Sequence, residues 1–203
     1  REVAEMLKQA TFKDYDFETV WEIQEGKSYP YFKGMDPMLP SMIKDDGSIN
    51  AMQGEGTEES PYLISRYKDL KYIGKYEYKT DLYYKLADHI YVWDVEREEC
   101  NSDGTECKGF EPIPEFSGVF IGNNKTIIGL YINRPDEDSV GLFRSLSPTA
   151  KVTGLMLDSL VIKGKNYVGG LAGVDKGAVL DEIYVDSDVS AQNNVGAIVG
   201  QKN

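Results

Sequence analysis

The sequence predicts an all-β fold, a right-handed parallel β-helix (solenoid) with a short helix near its start. Two observations predict it: a glycine-centred tetrapeptide that recurs at intervals in the twenties, and short stretches of alternating apolar residues between these glycines. A repeat of this length holds two or three short strands and cannot bury its apolar side alone, so successive repeats must coil and stack. Leucine-rich repeats have similar periods, but we recognise neither their Asn or Cys ladder nor their helices here.

The recurring tetrapeptide is centred on Gly118, Gly141, Gly169 and Gly196. Its copies are Ser117-Gly118-Val119-Phe120, Val140-Gly141-Leu142-Phe143, Val168-Gly169-Gly170-Leu171 and Val195-Gly196-Ala197-Ile198. The intervals between these glycines are 23, 28 and 27 residues. A coil must turn corners, and glycine reaches positive φ without a Cβ penalty and lets two backbones approach closely. We therefore predict that the four glycines are structural repeat positions.

A second element recurs between the glycines and alternates as a strand does. Its copies are Gly129-Leu130-Tyr131-Ile132, Gly154-Leu155-Met156-Leu157 and Glu182-Ile183-Tyr184-Val185. Coiling would stack residues that lie 28 positions apart. The predicted pairs are Leu155 with Ile183, Leu157 with Val185, and Val161 with Val189. Parallel pairing at about 4.8 Å would satisfy the backbone between the coils.

Composition divides the chain into three parts. Residues 35–60 are rich in proline, glycine and acidic residues, which is typical of a linker or long loop. Residues 61–203 carry the β-helix pattern, which opens with a strand at Tyr62-Leu63-Ile64. A helix follows, on which apolar residues recur at helical spacing. These residues are Tyr67, Leu70, Tyr72 and Ile73. Residues 1–34 resemble the compact end of another structural unit.

The two cysteines, Cys100 and Cys107, flank a loop that contains Asp103-Gly104. Asp-Gly is typical of a tight turn, so the flanks can return antiparallel with the sulfurs within reach of a disulfide. A disulfide here would indicate an oxidising, extracellular compartment. The alternative is two free thiols in a polar loop. A zinc site is not predicted, because there is no second cysteine pair and the single histidine, His89, is remote.

Charge excludes some classes of partner. The chain has 22 basic and 34 acidic residues, a net charge of −12. Nucleic acids and anionic membranes need a basic surface, so neither is an expected partner. We find no apolar stretch of the roughly 20 residues that a membrane-spanning helix needs. We expect the chain to be a processed piece or a part of a longer protein.

The residues from Tyr167 to Gly173, Tyr-Val-Gly-Gly-Leu-Ala-Gly, resemble the GLUG motif of bacterial surface and secreted proteins. Related stretches lie at 140–143 and 195–200, and the lead-in from Gly56 to Ser65 is also similar to the family. Segment 11–32 resembles the element that closes the last repeat of a preceding unit. The resemblance implies a capping helix before the first coils, an adhesin-like role and no agreed catalytic residues. Ala197-Ile198 departs from the usual Gly-Leu, and the cysteine loop is an insertion.

No catalytic residue is predicted, because catalysis by a histidine triad would have to pass through His89. The acidic residues fall in predicted turns or on strand exteriors. These are Asp136, Glu137, Asp138, Asp181, Glu182, Asp186 and Asp188. The leading interpretation is a solvated acidic face. Calcium binding is the alternative, although no Asp-x-Asp-x-Asp-Gly loop is present. Beyond that calcium, we expect no metal or cofactor.

Fourteen tyrosines are many for 203 residues. Six of them cluster close to Trp93: Tyr72, Tyr76, Tyr78, Tyr83, Tyr84 and Tyr91. One interpretation is a sugar-stacking surface built from Tyr83, Tyr91 and Trp93. The other is half-buried packing on strands, which suits tyrosine equally well.

These observations predict a non-catalytic module of an extracellular or cell-surface protein that serves adhesion, extension or assembly. Its partners would be tandem neighbouring units or other copies of itself in a filament, and host or matrix glycans or proteins. The physical reason is that a solenoid spaces its ends along an axis and leaves strand edges that a neighbour can cover. The alternative is a carbohydrate-active β-helix or an accessory domain of a secreted peptidase.

Overall fold

The computed structural model describes residues 17–18, 21–22, 31–32, 52–75, 78–92 and 107–203. The chain divides into two compact units, Arg1–Ala51 and Met52–Asn203. In the first unit, β1 (Trp21–Glu22) pairs antiparallel with β2 (Tyr31–Phe32). The division falls within the segment predicted as a linker, 35–60, and the roles predicted for 1–34 and 35–60 rest mostly on residues outside the described ranges.

The second unit is a series of strands with one short helix in its described part. In chain order the elements are β3 (Tyr62–Ile64), α1 (Tyr67–Leu70), β4 (Tyr83–Leu86), β5 (Ile90–Tyr91), β6 (Val119–Ile128), β7 (Tyr131–Asn133), β8 (Phe143–Leu146), β9 (Lys151–Lys163), β10 (Asn166–Gly169), β11 (Ala172–Asp175), β12 (Val179–Ser190), β13 (Asn193–Gly196) and β14 (Val199–Lys202). The large β content confirms the predicted class.

These strands pair in parallel between successive coils, which confirms a parallel β-solenoid of about three turns within the described residues. The largest sheet has the order β12-β9-β6-β4-β3, with β5 beside β6 and β7 beside β9. A second sheet has the order β14-β11-β8, and a third pairs β10 with β13. Each complete coil therefore contributes one long strand and two short ones. The right-handed sense stays a prediction.

The register between β9 and β12 confirms two of the three predicted stacked pairs. Leu155 lies opposite Ile183 and Leu157 opposite Val185, each 28 residues apart. Leu155 and Leu157 are buried in the core. Apolar residues at the same position of successive coils thus form continuous layers inside the solenoid, as the stacking argument requires.

The third predicted pair, Val161 with Val189, is wrong. The register shifts after Val185, and Val189 lies opposite Ile162. The physical reason is a β-bulge: β9 carries one residue more than β12, and Ser159 takes the left-handed φ of 54° that accommodates it. Ile162 is 1% exposed, whereas Val161 points outward and is 48% exposed.

The first copies of both repeated elements also lie elsewhere than predicted. Phe120 pairs with Val152, whereas Phe143 pairs with Ala172, so the first two tetrapeptides belong to different sheets. Tyr131 pairs with Val161 instead of Met156. The early coils differ in length, and β6 shifts register between Ile121 and Lys125. The first copies of the repeated elements therefore do not occupy the same structural position in their coils as the later copies.

Three of the four repeat glycines form one ladder. Gly169 lies opposite Gly196, and a Cβ on Gly141 would come within 2.6 Å of the carbonyl oxygen of Gly169. Gly118 lies elsewhere, where a Cβ would come within 2.1 Å of the Leu82 carbonyl oxygen. Two backbones therefore approach too closely at these sites for any side chain, which confirms close approach as a reason for glycine.

The prediction that these four glycines adopt a positive φ is wrong. The left-handed corner falls two residues earlier in each coil, on Ser139, Tyr167 and Asn194, at φ values of 58°, 56° and 56°. A second left-handed position recurs at Gly154 and Glu182, with φ values of 61° and 52°. Each coil therefore turns at the same places whether or not the residue there is glycine.

The helix is shorter than predicted, and a capping role for it is not shown. α1 ends at Leu70, because the N–H groups of Tyr72 and Ile73 donate to carbonyl oxygens only three residues back. Its first turn is fixed by Asp69, whose Oδ2 accepts from the N–H groups of Ser65 and Arg66 at 2.9 Å each. Burial raises the pKa of Asp69, and those hydrogen bonds oppose the increase.

The early coils are filled by aromatic rings. The ring centroids of Phe116 and Phe143 are 4.9 Å apart, and Phe120 meets Phe143 edge to face at 5.6 Å. Tyr78 and Tyr84 are fully buried beside them. The tyrosine-rich stretch before residue 86 therefore contributes to the core, as the packing interpretation predicts.

The β9 bulge gives a direct test of the register. We expect Ile162→Ala to lower the free energy of unfolding by about 2–5 kcal/mol, because it removes buried methyl groups from a packed layer. Val161→Ala is the matched control and should cost less than about 1 kcal/mol, because its side chain points outward. Urea unfolding measures both. A larger loss for Val161→Ala would contradict the observed register.

Candidate functional site

The coil of β12, β13 and β14 repeats the core layers of the coil before it. Ile183, Val185 and Val189, which we call the end layer, pack against the core on one side but are only partly buried. Their partners in the preceding coil, Leu155, Leu157 and Ile162, are buried. β12 and β14 each lie at an edge of their sheet. The end layer thus belongs to the same stacked layers as the core of the preceding coil.

A ladder of polar side chains runs up the outside of the same coils. The Nδ2 of Asn166 donates to Oδ1 of Asp138 at 2.7 Å, and the Nδ2 of Asn193 donates to Oδ1 of Asn166 at 2.9 Å. These residues are 28 and 27 positions apart, as their coils are. This exposed row, which includes Asp138, differs from the Asn ladder of leucine-rich repeats, and it was not predicted from the sequence. The spacing of the three residues was the signal that could have revealed it.

A groove crosses the outer face of β6, β9 and β12, and we call it the outer groove. Its volume is about 410 Å³. It is lined by Thr126, Met156, Leu157, Asp158, Tyr184, Val185 and Asp186. Thr126 lies opposite Met156, and Met156 lies opposite Tyr184, so one outward residue from each of three coils forms a row. Because successive side chains of a strand point to opposite faces, the three residues of this row point outward, whereas Leu157 and Val185 face the core.

Tyr184 and two aspartates determine the chemistry of the outer groove. The Tyr184 side chain is 66% exposed, the largest value among the exposed large apolar residues described. Asp158 and Asp186 follow Met156 and Tyr184 by two residues and therefore point to the same side. Asp158 accepts a hydrogen bond from the Ser159 hydroxyl at 3.0 Å. The groove thus combines an aromatic face with two hydrogen-bond acceptors.

Sequence reasoning did not single out Tyr184 as an exposed residue of the outer groove. The signal was present, because Ile183 and Val185 were predicted to face inward and alternation then directs Tyr184 outward. The predicted sugar-stacking residues do not form one surface in the described chain. Tyr83 pairs with Val119 and Tyr91 with Ile128, at the two ends of β6. Tyr91 is 48% exposed, and Trp93 lies outside the described residues.

His89 has a hydrogen-bonding role in the backbone of the coil. Its Nδ1 accepts from the N–H of Thr126 at 3.2 Å, 37 positions along the chain. This contact ties β5 to β6 beside the outer groove. Accepting at Nδ1 requires the neutral ring with its proton on Nε2, so the contact is a structural use of the histidine.

The acidic turn at 136–138 is held by arginines. The Oε1 of Glu137 accepts from Arg134 at 2.9 Å, and its Oε2 accepts from Arg144 at 2.7 Å. Arg134 is buried, and its Nε also donates to the Phe110 carbonyl oxygen at 3.2 Å. Burial raises the pKa of Glu137, but the hydrogen bonds from Arg144 and Arg134 outweigh it and lower this pKa below its usual value.

Glu137 and Asp138 thus have structural partners, which differs from the expected solvated acidic face. In the described part of the chain, no group of three or more His, Cys, Asp or Glu side chains is placed to hold a metal ion. Calcium binding stays a prediction.

Cys107 is buried, but Cys100 lies outside the described residues, so the disulfide also stays a prediction. Among the described helices, none is long and apolar enough to cross a membrane.

The Glu137 cluster predicts a pH-dependent stability. Glu137→Gln should lower the free energy of unfolding by about 1–3 kcal/mol at pH 7, since it removes the charge shared by the two arginines. A carboxylate with a lowered folded pKa stabilises above its unfolded pKa and loses that effect as pH falls through the folded value. The difference from the parent protein should therefore narrow below about pH 4.5.

Urea unfolding at several pH values measures this difference. Asp136→Asn, at an exposed acid in the same turn, is the control and should change stability by less than about 0.5 kcal/mol. A Glu137→Gln penalty that is constant between pH 7 and 3 would contradict the role given to the charge.

Comparison with known proteins finds two relatives of interest. The chain is 32% identical over 155 residues to halomucin of Haloquadratum walsbyi, which is 74% of this chain and 2% of halomucin. It is also 32% identical over 153 residues to a Gly-rich membrane protein of Evansella cellulosilytica, covering 72% of this chain and 17% of that protein. No family model matches, so the GLUG resemblance stays a prediction. No solved structure matches. The chain is thus similar to small parts of two much longer proteins.

Proposed function

We propose that the chain is a non-enzymatic module of an extracellular or cell-surface protein, and that it serves extension, adhesion or assembly by stacking of coils. The observation that carries this proposal is the parallel register of β9 and β12, which places each coil directly on the one before it. Ile183, Val185 and Val189 repeat the positions of a buried layer but are only partly covered. Burying apolar surface is favourable by about 25 cal/mol per Å², so coils that share this register stabilise one another.

The relatives support a location at the cell surface. One is named halomucin and the other a Gly-rich membrane protein. The chain covers 2% and 17% of their lengths, which favours a module used within long chains. A solenoid suits such a use, because each added coil lengthens the rod without changing its cross-section.

The occupant that fits the end layer is a coil with the same repeat. It would pair its long strand with β12, place apolar side chains over Ile183 and Val185, and continue the polar ladder. The Oδ1 of Asn193 is placed to accept from an amide of that coil, as the Oδ1 of Asn166 accepts from Asn193. In a solution of this chain, a second copy supplies the coil.

Concentration-dependent mass tests the stacking. We expect the mass from light scattering to increase above 22.8 kDa as the concentration increases. Val189→Lys places a charge in the end layer and should keep the protein monomeric. Ser190→Lys adds the same charge at an exposed position of β12 and should assemble like the parent.

Thermal unfolding of both variants controls for folding. A parent protein that stays at 22.8 kDa at every concentration would contradict assembly through this surface. Equal assembly of the Val189→Lys variant would show that the contact lies elsewhere.

The extracellular assignment predicts a disulfide between Cys100 and Cys107. Oxidised protein should give a linked peptide in a non-reducing digest, and reduction should lower the free energy of unfolding by roughly 2–3 kcal/mol, because the bridge closes a short loop. Mass spectrometry and urea unfolding measure the two effects. Two thiols that titrate in denatured, unreduced protein would contradict the pairing and weaken the proposed location.

A further inference from the structure

We propose that the outer groove is a binding site for a neutral polysaccharide, with Tyr184 as the stacking surface and Asp158 and Asp186 as acceptors for sugar hydroxyls. This site differs from the three aromatic residues that the sequence suggested. It rests on a groove, an exposed ring and two carboxylates that the fold brings together on one face.

The shape of the outer groove fits a chain-like ligand. It is an open depression of about 410 Å³, not an enclosed cavity, which suits a ligand that lies along the surface. Its floor runs across Thr126, Met156 and Tyr184 on three neighbouring strands, a span of about 10 Å at about 4.8 Å per strand. A linear ligand could lie along this row with one sugar ring near each coil.

The aromatic part of the outer groove suits a pyranose ring. Tyr184 is 66% exposed on the outer face of β12. Its neighbours in the sequence, Ile183 and Val185, pack against the core and hold this part of the strand in place. A rigid tyrosine ring offers a flat apolar face and a polar hydroxyl at its end. The thioether of Met156 lies beside it on the next strand and adds an adaptable apolar contact.

Charge determines which polysaccharides fit. Ionised aspartate is an acceptor with two oxygens, so it can accept from neighbouring hydroxyls of one sugar. Asp158 and Asp186 are on adjacent coils, and exposed Asp181, Glu182 and Asp188 lie on the same strand as Asp186. Uronic acids or sulfated sugars would be repelled by this set in a chain of net charge −12. Charge therefore argues against an anionic chain, and the ligand we assign is an uncharged polyhydroxylated one.

The site is compatible with stacking of coils but independent of it. Tyr184 points outward from the sheet, whereas a further coil would pair with the edge of β12. Added coils would leave the outer groove open and extend it. Failure to assemble would thus leave this site intact, and failure to bind glycans would leave the stacking proposal intact.

Affinity electrophoresis in gels that contain soluble polysaccharides tests the assignment, with calorimetry to measure affinity. The neutral probes are glucomannan, xyloglucan and mixed-linkage β-glucan, and the anionic probes are alginate and polygalacturonate. We expect retardation by at least one neutral probe and by neither anionic probe. Retardation by no neutral probe, or equal retardation by the anionic ones, would overturn the proposal.

Four variants locate the site. Tyr184→Ala should weaken binding about tenfold or more, whereas Tyr184→Phe keeps the ring and should stay within about twofold. Asp186→Asn should weaken binding about three- to tenfold, because it removes a charged acceptor. Asp188→Asn makes the same change outside the groove lining and should leave binding unchanged.

Thermal unfolding checks that each variant is folded, and the retained binding of the Phe variant separates loss of the ring from loss of the strand. Full binding by Tyr184→Ala would overturn the stacking role. Equal losses for Asp186→Asn and Asp188→Asn would overturn the assignment of the acceptor.

Discussion

The hydrogen bonds between parallel strands of successive coils determine which side chains share a layer, and the rest of the solenoid depends on that register. Since side chains along a strand alternate in direction, a slip of one residue would exchange the inner and outer sets. The β9 bulge shows how the register is kept. One additional residue near Ser159 returns Ile162 to the core and leaves Val161 outside.

The same register organises the exterior as strictly as the core. Residues at one position of successive coils form columns on the outside, such as the polar ladder that ends at Asn193 and the row that ends at Tyr184. A function placed on such a column is repeated or extended by each coil. The two proposed uses of the fold therefore draw on different sides of one structure: the edge of the last coil for stacking, and its outer face for a ligand.

The sequence predicted the later coils well because their lengths are nearly equal. A spacing of 28 residues placed Leu157 under Val185 correctly. It failed for Val161 with Val189, beyond the β9 bulge, and in the early coils, where β6 shifts register and the interval from Gly118 to Gly141 is 23 residues. A four-residue glycine motif is too short to show which sheet it belongs to. Coil length depends on bulges, and bulges depend on local backbone geometry that composition does not reveal.

The candidate site was predicted less well than the fold. The sugar hypothesis named Tyr83, Tyr91 and Trp93 and stays a prediction, whereas the neighbouring Tyr78 and Tyr84 are buried in the core. Tyr184 is isolated in the sequence and gains its neighbours only when coils stack Met156 beside it. A site assembled across coils is visible from the sequence only after the register is known.

Methyl–methyl nuclear Overhauser effects in the isotope-labelled protein test the stacked register most directly. The account predicts contacts between the methyl groups of Leu157 and Val185, and between those of Ile162 and Val189. Contacts between Val161 and Val189, or none between Leu157 and Val185, would contradict the register on which the end layer and the outer groove both depend.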